Sequence, residues 1–544
     1  MSIHTPLDTS TVGALDAWLF DSVGWPLVVG LVLLACALLT RLPWATELGS
    51  DFYTQVWWQR QFRRSKAWLR PQFQDSVASD PATFYPPFPA SLLARLPEKL
   101  VVPSGVLANY GCDAAHAGLV YGLLVYNDIH PSTALLAAVL WVVMPILFPV
   151  NARLVGLGAR TVGPLLHSGY LIGIYLALSG HPMTGTIVSL LCGTATFFTS
   201  QFGVQSLVLQ SLGLSAAYLN VLPATILALS AVAVLLLGGR EALRLKLVHV
   251  RHYMQHGRRF LADRNSFSAL RRTWKRHPLL AIPYCFTSTT IGVLLVGMIG
   301  VVPIALSVDL TAVSTDIPLL RFSLAVAGIA SVGVIATMKG PLEVLGEAER
   351  YMEYASPFVI VAAVLASAPN SPVYLSLLLG IVLALLGTYA NLSMYLFGKI
   401  VQVMRLDHAS GQVTEVHDLL RRHGAARIAT APMSLSSILS VTSSGEPRHT
   451  YLHYLLWDRC TQRFPWSSSP SVFPHLDTRP EFLDSYGINA VVFERRKIGQ
   501  LQGANGIENL THWDRVDTPE YVLFFRPHSE VPGEASQIAD RDSR

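Results

Sequence analysis

The first residues that could do chemistry follow directly after the first apolar segment of the chain. Asp51 lies in the sequence ELGSDF, and Glu47 precedes it by one helical turn. A carboxylate at this place could take the proton of a hydroxyl group and so turn that group into a nucleophile. Burial among the neighbouring aromatic side chains would make Asp51 a stronger base. The alternative is an ordinary polar residue that closes a helix.

A second segment, SDPATFYPPFPASLLARL, contains Asp80 and, directly before two consecutive prolines, Tyr85. The two prolines interrupt any helix, and a new amphipathic helix is predicted to begin near Pro89. We interpret the segment as a loop that re-enters the membrane surface, and Asp80, just before it, could line the same cavity as Asp51. Tyr85 is a further candidate for substrate binding.

A third segment, LGEAERYMEYASPF, places Glu347, Glu349, Arg350 and Tyr351 before an apolar stretch. A guanidinium group suits a phosphate because it presents two parallel hydrogen-bond donors. Either glutamate could orient Arg350 for that purpose. The alternative is a solvated helix start, where acidic residues favour the positive end of the helix dipole.

Other ionisable residues lie within or between apolar segments. Arg153 and Arg160 flank the sequence VGLGA and are either anchors at a membrane surface or donors to a pyrophosphate. Arg321 lies inside an apolar segment, where a charge usually faces a polar cavity. His116 and His167 are predicted to be hydrogen-bonded core histidines.

The sequence lacks several motifs of well-known enzyme classes. It has no Walker A loop, HExxH or GxSxG motif, which argues against a self-contained ATPase, zincin or serine hydrolase. None of the five cysteines forms a CxxC pair, so they are interpreted as small buried side chains. No His, Asp and Glu group has metal-ligand spacing. No cofactor is identified, and a divalent cation is left open.

The elements that position these residues must lie in a membrane. Hydrophobic residues make up 51% of the 544 residues and charged residues 14%, and the mean hydropathy is +0.42. Soluble domains carry about 25% charged residues, so this chain has too little polar surface to cover itself. We therefore predict a multi-pass integral membrane protein with membrane lipid around it. The net charge of +5 gives no reason to expect a nucleic acid partner.

About eleven apolar segments are long enough to be predicted as transmembrane helices. Residues 1–24 contain no Lys or Arg, so the first segment is interpreted as a retained helix and not as a signal peptide. Between the segments lie a long first loop (residues 43–103), expected to hold short interfacial helices, and a basic loop (residues 239–277). The basic loop is either a cytoplasmic loop or a binding site for lipid phosphate. The segments are Trp25–Leu42, Ser104–Tyr126, Ser132–Val150, Thr161–Leu178, Gly185–Ser200, Gly203–Leu219, Val221–Leu237, Leu279–Ser307, Pro318–Thr337, Ser356–Ala368 and Pro372–Phe397.

A change in composition divides the chain. Of the 146 residues from 399 to 544, 33 are charged, against 42 of the first 398. Residues 1–398 are therefore predicted to form the transmembrane domain and residues 399–530 a small soluble α/β domain, with residues 531–544 as a disordered tail. In the soluble domain, helices at 412–423 and 480–486 alternate with the strands ARIAT, INAVVF and YVLFF. Its predicted core includes Ile428, Val491, Val492, Val522 and Phe524.

Together these motifs resemble the GT-C superfamily of integral-membrane glycosyltransferases. Members have an acidic residue in the long first loop (here Asp51 in ELGSDF) and often a D…YPP segment in that loop (here Asp80 with YPP). They also have an acidic-Arg-aromatic stretch that opens a late span, here GEAERYMEYASP, and many have a soluble C-terminal domain. The resemblance covers the architecture of nearly the whole chain, although each motif is short.

The resemblance implies a polytopic fold and an inverting sugar transfer from a polyprenyl-phosphate carrier, of the mannosyl- or arabinosyltransferase kind. Asp51 would be the general base towards a glycan, lipid or protein acceptor. The first loop and the C-terminal domain would lie on the outer face of the plasma (inner) membrane, where they would serve assembly of the cell envelope.

The distribution of charge conflicts with this orientation. The residues before the first segment carry three aspartates and no Lys or Arg, whereas the first loop is basic. The positive-inside rule alone would place that loop in the cytoplasm. Two other functions also stay open. A secondary transporter predicts repeat-related halves and spans broken by Gly or Pro. A noncatalytic scaffold of envelope assembly predicts that Asp51 and Arg350 can be replaced without loss of function.

Overall fold

Apolar helices account for most of the described chain, and a small sheet forms near its C-terminal end. The structure is a computed structural model. It describes residues 25–41, 50–71, 73, 75–77, 82–83, 86–147, 160–252, 271, 274–275, 278, 285, 289–308, 317–338, 342, 345, 347–367, 373–403, 407–433, 435–443, 449–453, 456–457, 476–500 and 506–527.

The helices that precede the sheet form two groups. The first loop holds α2 (Ser50–Ser65) and α3 (Ala90–Leu93). The others pack around one continuous apolar core. They are α1 (Trp25–Arg41), α4 (Glu98–Tyr126), α5 (Pro131–Val143), α6 (Val162–Leu178), α7 (Pro182–Thr199), α8 (Gln201–Ala217), α9 (Leu222–His252), α10 (Thr290–Gly297), α11 (Val302–Leu306), α12 (Pro318–Met338), α13 (Glu349–Ser367) and α14 (Val373–Val403).

Two helices of the described chain are long and apolar enough to cross a membrane. They are α12 and the first part of α14, Val373–Ala390. Shorter apolar helices of 10–17 residues occur in α1, α5, α6, α9 and the α10–α11 region. The about eleven transmembrane helices expected from the sequence stay a prediction.

The observed helices differ from the predicted segments where proline occurs. Helix α4 begins at Glu98 and contains Pro103, and α13 begins at Glu349 and contains Pro357. Each proline removes one backbone hydrogen bond of its helix, and here the helix continues through it. Both helices therefore begin before the predicted spans, which start at residues 104 and 356.

The predicted span from 279 to 307 is interrupted. Helix α10 ends at Gly297, a 3₁₀ turn follows, and α11 begins at Val302. At the interruption Gly300 packs directly on α14, where an added Cβ atom would lie 2.9 Å from the carbonyl oxygen of Gly380. Close backbone contact between small residues is a usual way for membrane helices to pack.

The basic segment at 239–277 is in part helical. Helix α9 continues through it to His252, because nothing in residues 239–252 ends a helix. On this extension Glu241 forms an ion pair with Arg70 of the first loop at 3.0 Å. The first third of the predicted basic loop thus lies at the same end of the bundle as the first loop.

The C-terminal segment forms a five-stranded sheet of order β3-β2-β5-β7-β6. Strand β2 pairs in parallel with β3 and β5, whereas β7 is antiparallel to β5 and β6. The sheet and its helices are β2 (Arg427–Ala431), β3 (Thr450–Tyr451), β5 (Ala490–Glu494), β6 (Asp514–Asp517), β7 (Tyr521–Phe525), α15 (Asp407–Arg422), α16 (Leu435–Thr442) and α17 (Pro480–Ser485).

This arrangement confirms the predicted α/β character of the C-terminal segment. The five predicted core residues of the sheet are at most 4% exposed. Helix α15 stops where predicted, because Gly424 adopts a φ of +61°, a conformation that glycine adopts without a steric penalty. The division of the chain at residue 398 stays a proposal, since α14 continues to Val403.

The first loop and the sheet domain are in direct contact. Strand β1 (Ala82–Thr83) of the loop pairs antiparallel with β4 (Leu456–Trp457). The indole of Trp57 on α2 stacks on the imidazole of His453, with ring centroids 3.9 Å apart. The loop and the C-terminal domain therefore lie at the same end of the bundle.

We expect this interface to weaken in acid. Burial lowers the pKa of His453 from 6.5 to about 4, although Asp75 nearby acts in the opposite direction. The imidazole is therefore neutral in the folded protein at pH 7. The stability that depends on the neutral form is complete above pH 6.5 and is lost as the pH falls towards 4. At pH 5 the loss should be about 2 kcal/mol.

Thermal unfolding of the full chain in detergent at pH 7 and pH 5 measures this loss. The control is His453→Gln, whose side chain cannot be protonated in this range and can still reach Ser436, the hydrogen-bond partner of His453 at 3.2 Å. The variant should show a flatter pH dependence. If the pH dependence is the same in the variant, another group causes the loss of stability. His417 is such a group, because burial lowers its pKa to about 4 as well.

Candidate functional site

Four helices of the bundle begin close together at the end that faces the first loop. The start of α13 contacts the starts of the other three through hydrogen-bonded side chains. Glu353 lies 3.3 Å from Arg160, two residues before α6. The hydroxyl groups of Tyr354 and of Ser200, which caps α8, are 2.7 Å apart. Thr290, the first residue of α10, donates to Glu349 at 3.4 Å. Helix starts carry partial positive charge, so their convergence favours an anion.

Arg160 and Glu353 form a buried ion pair. Their side chains are 7% and 1% exposed, and the nitrogen–oxygen distance is 3.3 Å. Such a pair holds its two helices in one relative position, because either charge alone would be costly to bury. Arg160, one of two arginines predicted to hold a pyrophosphate or to anchor at a surface, thus lies inside the protein.

Arg350 is held on two sides. It forms an ion pair with Glu347, one of the two glutamates expected to orient it, and its guanidinium lies 4.1 Å from the centre of the Phe202 ring. The Arg350 side chain is 18% exposed, more than that of Arg160. Because the Arg350 guanidinium stacks on the Phe202 ring and pairs with Glu347, its other N–H groups are held in a fixed direction.

The other two predicted residues of this segment are buried. Glu349 is 1% exposed and accepts the hydrogen bond from Thr290. Tyr351 is 5% exposed, and its hydroxyl donates to Gln205 at 3.5 Å. Glu349 is therefore bound to α10, and Glu347 is the acid that meets Arg350.

The first loop reaches this region through its two prolines. The backbone N–H of Phe88 donates to the carbonyl of Phe198 in the last turn of α7, at 3.2 Å. The indole N–H of Trp58 on α2 donates to the carbonyl of Pro86 at 3.1 Å. Pro86 and Phe88 thus connect α2 with the last turn of α7, directly before Ser200.

The structure brings together half of the predicted site residues. Arg160, Glu347, Glu349, Arg350 and Tyr351 lie at the common helix starts. Asp51 lies in the first turn of α2, and the position of its side chain is outside the described part of the structure. The predicted residues Glu47, Asp80, Tyr85 and Arg153 also lie outside the described residues.

Sequence reasoning missed several residues of the site. Glu353 stands four positions after Glu349, so the helical repeat puts both on one face of α13, and this spacing was visible in the sequence. Tyr354 follows it, and its partner Ser200 lies 154 positions away along the chain. No local pattern could have identified Ser200 or Phe202, because both come from the turn between two separate helices.

Other predicted residues lie outside this site. His116 and His167 are buried and hydrogen-bonded to Ser168 and Ser206, which confirms their interpretation as core histidines. Arg321 lies in the first turn of α12, at the other end of the bundle, and is exposed. Within the ranges given above, no group of three or more His, Cys, Asp and Glu side chains could hold a metal ion.

Comparisons with known proteins gave similarity at the level of structure. No family model and no curated protein matches the sequence. The chain is similar to the crystal structure of the Archaeoglobus fulgidus oligosaccharyltransferase in complex with Zn and sulfate. The TM-score is 0.47, with 11% identity over 93% of this chain and 74% of that one.

Two further solved structures from the same organism are similar. One is the oligosaccharyltransferase tethered to an acceptor peptide with the NVT sequon, with TM-score 0.46, 11% identity, and 94% and 75% of the chains covered. The other is archaeal oligosaccharyltransferase AglB with an inhibitory peptide and a dolichol-phosphate, with TM-score 0.40, 12% identity and the same coverage. At TM-scores below 0.5 the similarity supports no conclusion about activity.

Proposed function

We propose that the protein is a membrane glycosyltransferase that transfers a sugar from a polyprenyl-phosphate carrier to an acceptor hydroxyl or similar nucleophile. The observation that carries the proposal is Arg350, partly exposed at the point where four helices begin. Its guanidinium and the helix starts would hold a phosphate, and the buried pair of Arg160 with Glu353 would hold the helix starts in place. The anion would be the phosphate or pyrophosphate that links the sugar to its lipid.

The exposed surface of the bundle supports a location in a membrane. Large apolar side chains point outward on several helices, among them Leu31 on α1, Leu236 on α9, Ile335 on α12 and Leu386 on α14, each more than half exposed. Exposed apolar surface on this scale is rare in soluble proteins. A lipid-linked donor could reach the arginines from the same hydrocarbon layer.

The first loop would supply the base. Helix α2 carries Asp51 in its first turn, and the YPPF segment connects the same helix to the turn next to Arg350. A carboxylate close to a bound sugar phosphate could remove the proton of the acceptor as the nucleophile attacks. The departing lipid phosphate would carry the negative charge and stay bound to Arg350, as it was before the transfer.

We propose the outer face of the plasma (inner) membrane for this reaction. The basic residues of the first loop oppose that choice, but they also have partners within the protein. Arg60 pairs with Glu98 at 3.0 Å, and Arg70 pairs with Glu241 at 3.0 Å. Arg95 donates to two backbone carbonyls of the loop. These arginines therefore have a structural use that does not depend on which side of the membrane they occupy.

The interrupted helix gives little support to a secondary transporter. Transporters place broken helices around a polar binding site near the middle of the membrane. Here the residues from Gly297 to Pro303 are all apolar, and the interruption is filled by Leu140 and by α14. The glycosyltransferase is therefore the function that we retain.

Replacement of Arg350 tests the donor site. Arg350→Ala should raise the KM for a polyprenyl-phosphate sugar by about 10- to 100-fold, because it removes charge-assisted hydrogen bonds to the phosphate. The effect on kcat should be smaller. Sugar transfer by purified protein in detergent, measured at varied donor concentration, gives both constants.

The matched control is Arg321→Ala, which removes an exposed arginine at the other end of the bundle and should leave both constants unchanged. If Arg350→Ala leaves the donor KM unchanged in an active protein, Arg350 does not bind the donor. If the wild-type protein transfers no sugar from any polyprenyl-phosphate donor, the proposed function is wrong.

A further inference from the structure

Asp75 of the first loop is a buried carboxylate at the interface with the C-terminal domain. It is 3% exposed. One of its oxygens, Oδ2, accepts hydrogen bonds from the indole of Trp57 at 3.1 Å and from Gln61 at 3.2 Å, both on α2. The same oxygen accepts a third hydrogen bond from the hydroxyl of Ser440 on α16, at 2.6 Å. The Trp57 indole also donates to Oδ1 at 3.3 Å, and Arg64 of α2 forms an ion pair with Oδ2 at 3.6 Å. The carboxylate of Asp75 therefore joins α2 and the C-terminal domain.

The backbone around Asp75 strengthens this connection. The N–H of Tyr451 in β3 donates to the carbonyl of Asp75 at 2.8 Å, and the N–H of Val77 donates back to the carbonyl of Tyr451 at 3.1 Å. The loop thus extends the sheet by a short parallel bridge at the edge formed by β3. These bonds fix the backbone of Asp75 relative to the sheet, independently of the contacts of its side chain with α2.

Two further contacts restrict α2 to the same place. The Trp57 indole lies between Asp75, which it contacts through its nitrogen, and the ring of His453, on which it stacks. The guanidinium of Arg60 donates to the backbone carbonyl of Val441, at the C-terminal end of α16, at 2.8 Å. Helix α2 is thus attached to the C-terminal domain along two of its turns.

The same helix also leads to the candidate site. Trp58, the residue after Trp57, donates to Pro86, and Phe88 continues the contact to α7. Asp51 lies six positions before Trp57 on this helix, less than two turns away. A rotation or shift of α2 would therefore move Asp51 relative to the arginines.

We propose that Asp75 is a positioning residue, which holds α2 against the C-terminal domain and thereby fixes Asp51 for the transfer reaction. The C-terminal domain then contributes to the chemical step by immobilising α2. This inference rests on the proposed function for its catalytic part. Its structural part is that Asp75 holds α2 in place, and this part does not depend on which substrate the protein uses.

Hydrogen–deuterium exchange on the full-length protein in detergent tests the structural part. Asp75→Asn weakens the hydrogen bonds to the carboxylate and removes the ion pair with Arg64, and Ser440→Ala removes the hydrogen bond from the C-terminal domain. Both should raise the exchange rate of the α2 amides by about tenfold or more, since opening of the helix end is then less costly. The double variant should resemble Asp75→Asn alone, because both changes break the same contact.

The matched control is Asp477→Asn. Asp477 is also 3% exposed and hydrogen-bonded, but its partner is Arg479 of the same domain. This variant should change amide exchange at most around residue 477 and should leave the exchange rate of the α2 amides unchanged. Equal exchange of α2 in wild type, Asp75→Asn and Ser440→Ala would overturn the inference.

Kinetics of sugar transfer test the catalytic part. A misplaced base lowers the rate of the chemical step, and a shift of about 1 Å can cost about 100-fold. Asp75→Asn should therefore lower kcat by about 10- to 100-fold and leave the donor KM within about twofold, the reverse of Arg350→Ala. An unchanged kcat despite faster α2 exchange would refute the positioning role. If the wild-type protein is inactive with every donor, the proposed function and the catalytic part fail together, and exchange still decides the structural part.

Discussion

Asp51→Asn should lower kcat for sugar transfer by about 10²- to 10⁴-fold, the usual contribution of a general base. Asparagine has the same size and can form hydrogen bonds, but it cannot accept the proton of the acceptor. In terms of the activation barrier the loss is about 3–5 kcal/mol. It should appear in kcat more than in donor binding, because the base acts on the acceptor in the transition state.

The control for this variant is Glu98→Gln, which removes another carboxylate near the first loop. Glu98 is 61% exposed in its side chain and pairs with Arg60, so the change should leave transfer nearly unaffected. Near wild-type transfer by purified Asp51→Asn protein would remove Asp51 from the mechanism. Glu47 and Asp80 would then be the next carboxylates to replace.

Arg160→Ala should destabilise the helical bundle by about 3–5 kcal/mol. The change leaves Glu353, whose side chain is 1% exposed, without the cation 3.3 Å away. A buried carboxylate that loses its cation must either be protonated or draw in water, and both are unfavourable. Thermal or urea-induced unfolding of the purified protein measures the effect.

A double replacement separates a structural role of Arg160 from a functional one. Arg160→Met combined with Glu353→Leu removes both charges and should be less destabilising than Arg160→Ala, because no lone charge is left buried. If Arg160 also holds the donor phosphate, the double variant should be stable but transfer sugar poorly. A double variant as unstable as the single one would mean that the ion pair is not the reason for the loss.

Composition and periodicity were sufficient to predict the type of each large region. A chain with 14% charged residues cannot cover itself in water, so a bundle of apolar helices was predictable. The sheet domain was predictable because the strands around Ile428, Val491 and Val522 are short apolar runs between turn residues and helices. The helix starts at Glu98 and Glu349 were less predictable. Each helix continues through a proline, Pro103 or Pro357, and whether a helix tolerates a proline depends on the helices packed around it.

The sequence by itself determined which residue types were present for chemistry. The segment GEAERYMEYASP contains acids, an arginine and tyrosines at helical spacing, and this predicted that Glu347 or Glu349 would orient Arg350. The two consecutive prolines of the first loop predicted a break in the helix at that place. These are local relations, because they depend on residues within a few turns of each other.

Only the tertiary structure decided which distant residues meet. Arg160 faces Glu353 across 193 positions of sequence, and Asp75 meets Ser440 across 365. Such contacts depend on how the helices and the sheet domain pack, and a single sequence does not encode them as a readable pattern. Asp75 was accordingly missed, because a lone aspartate in a loop resembles any solvated turn residue. Its burial among donors from α2 and α16, a property of the packed chain, is the basis on which we propose it as a positioning residue.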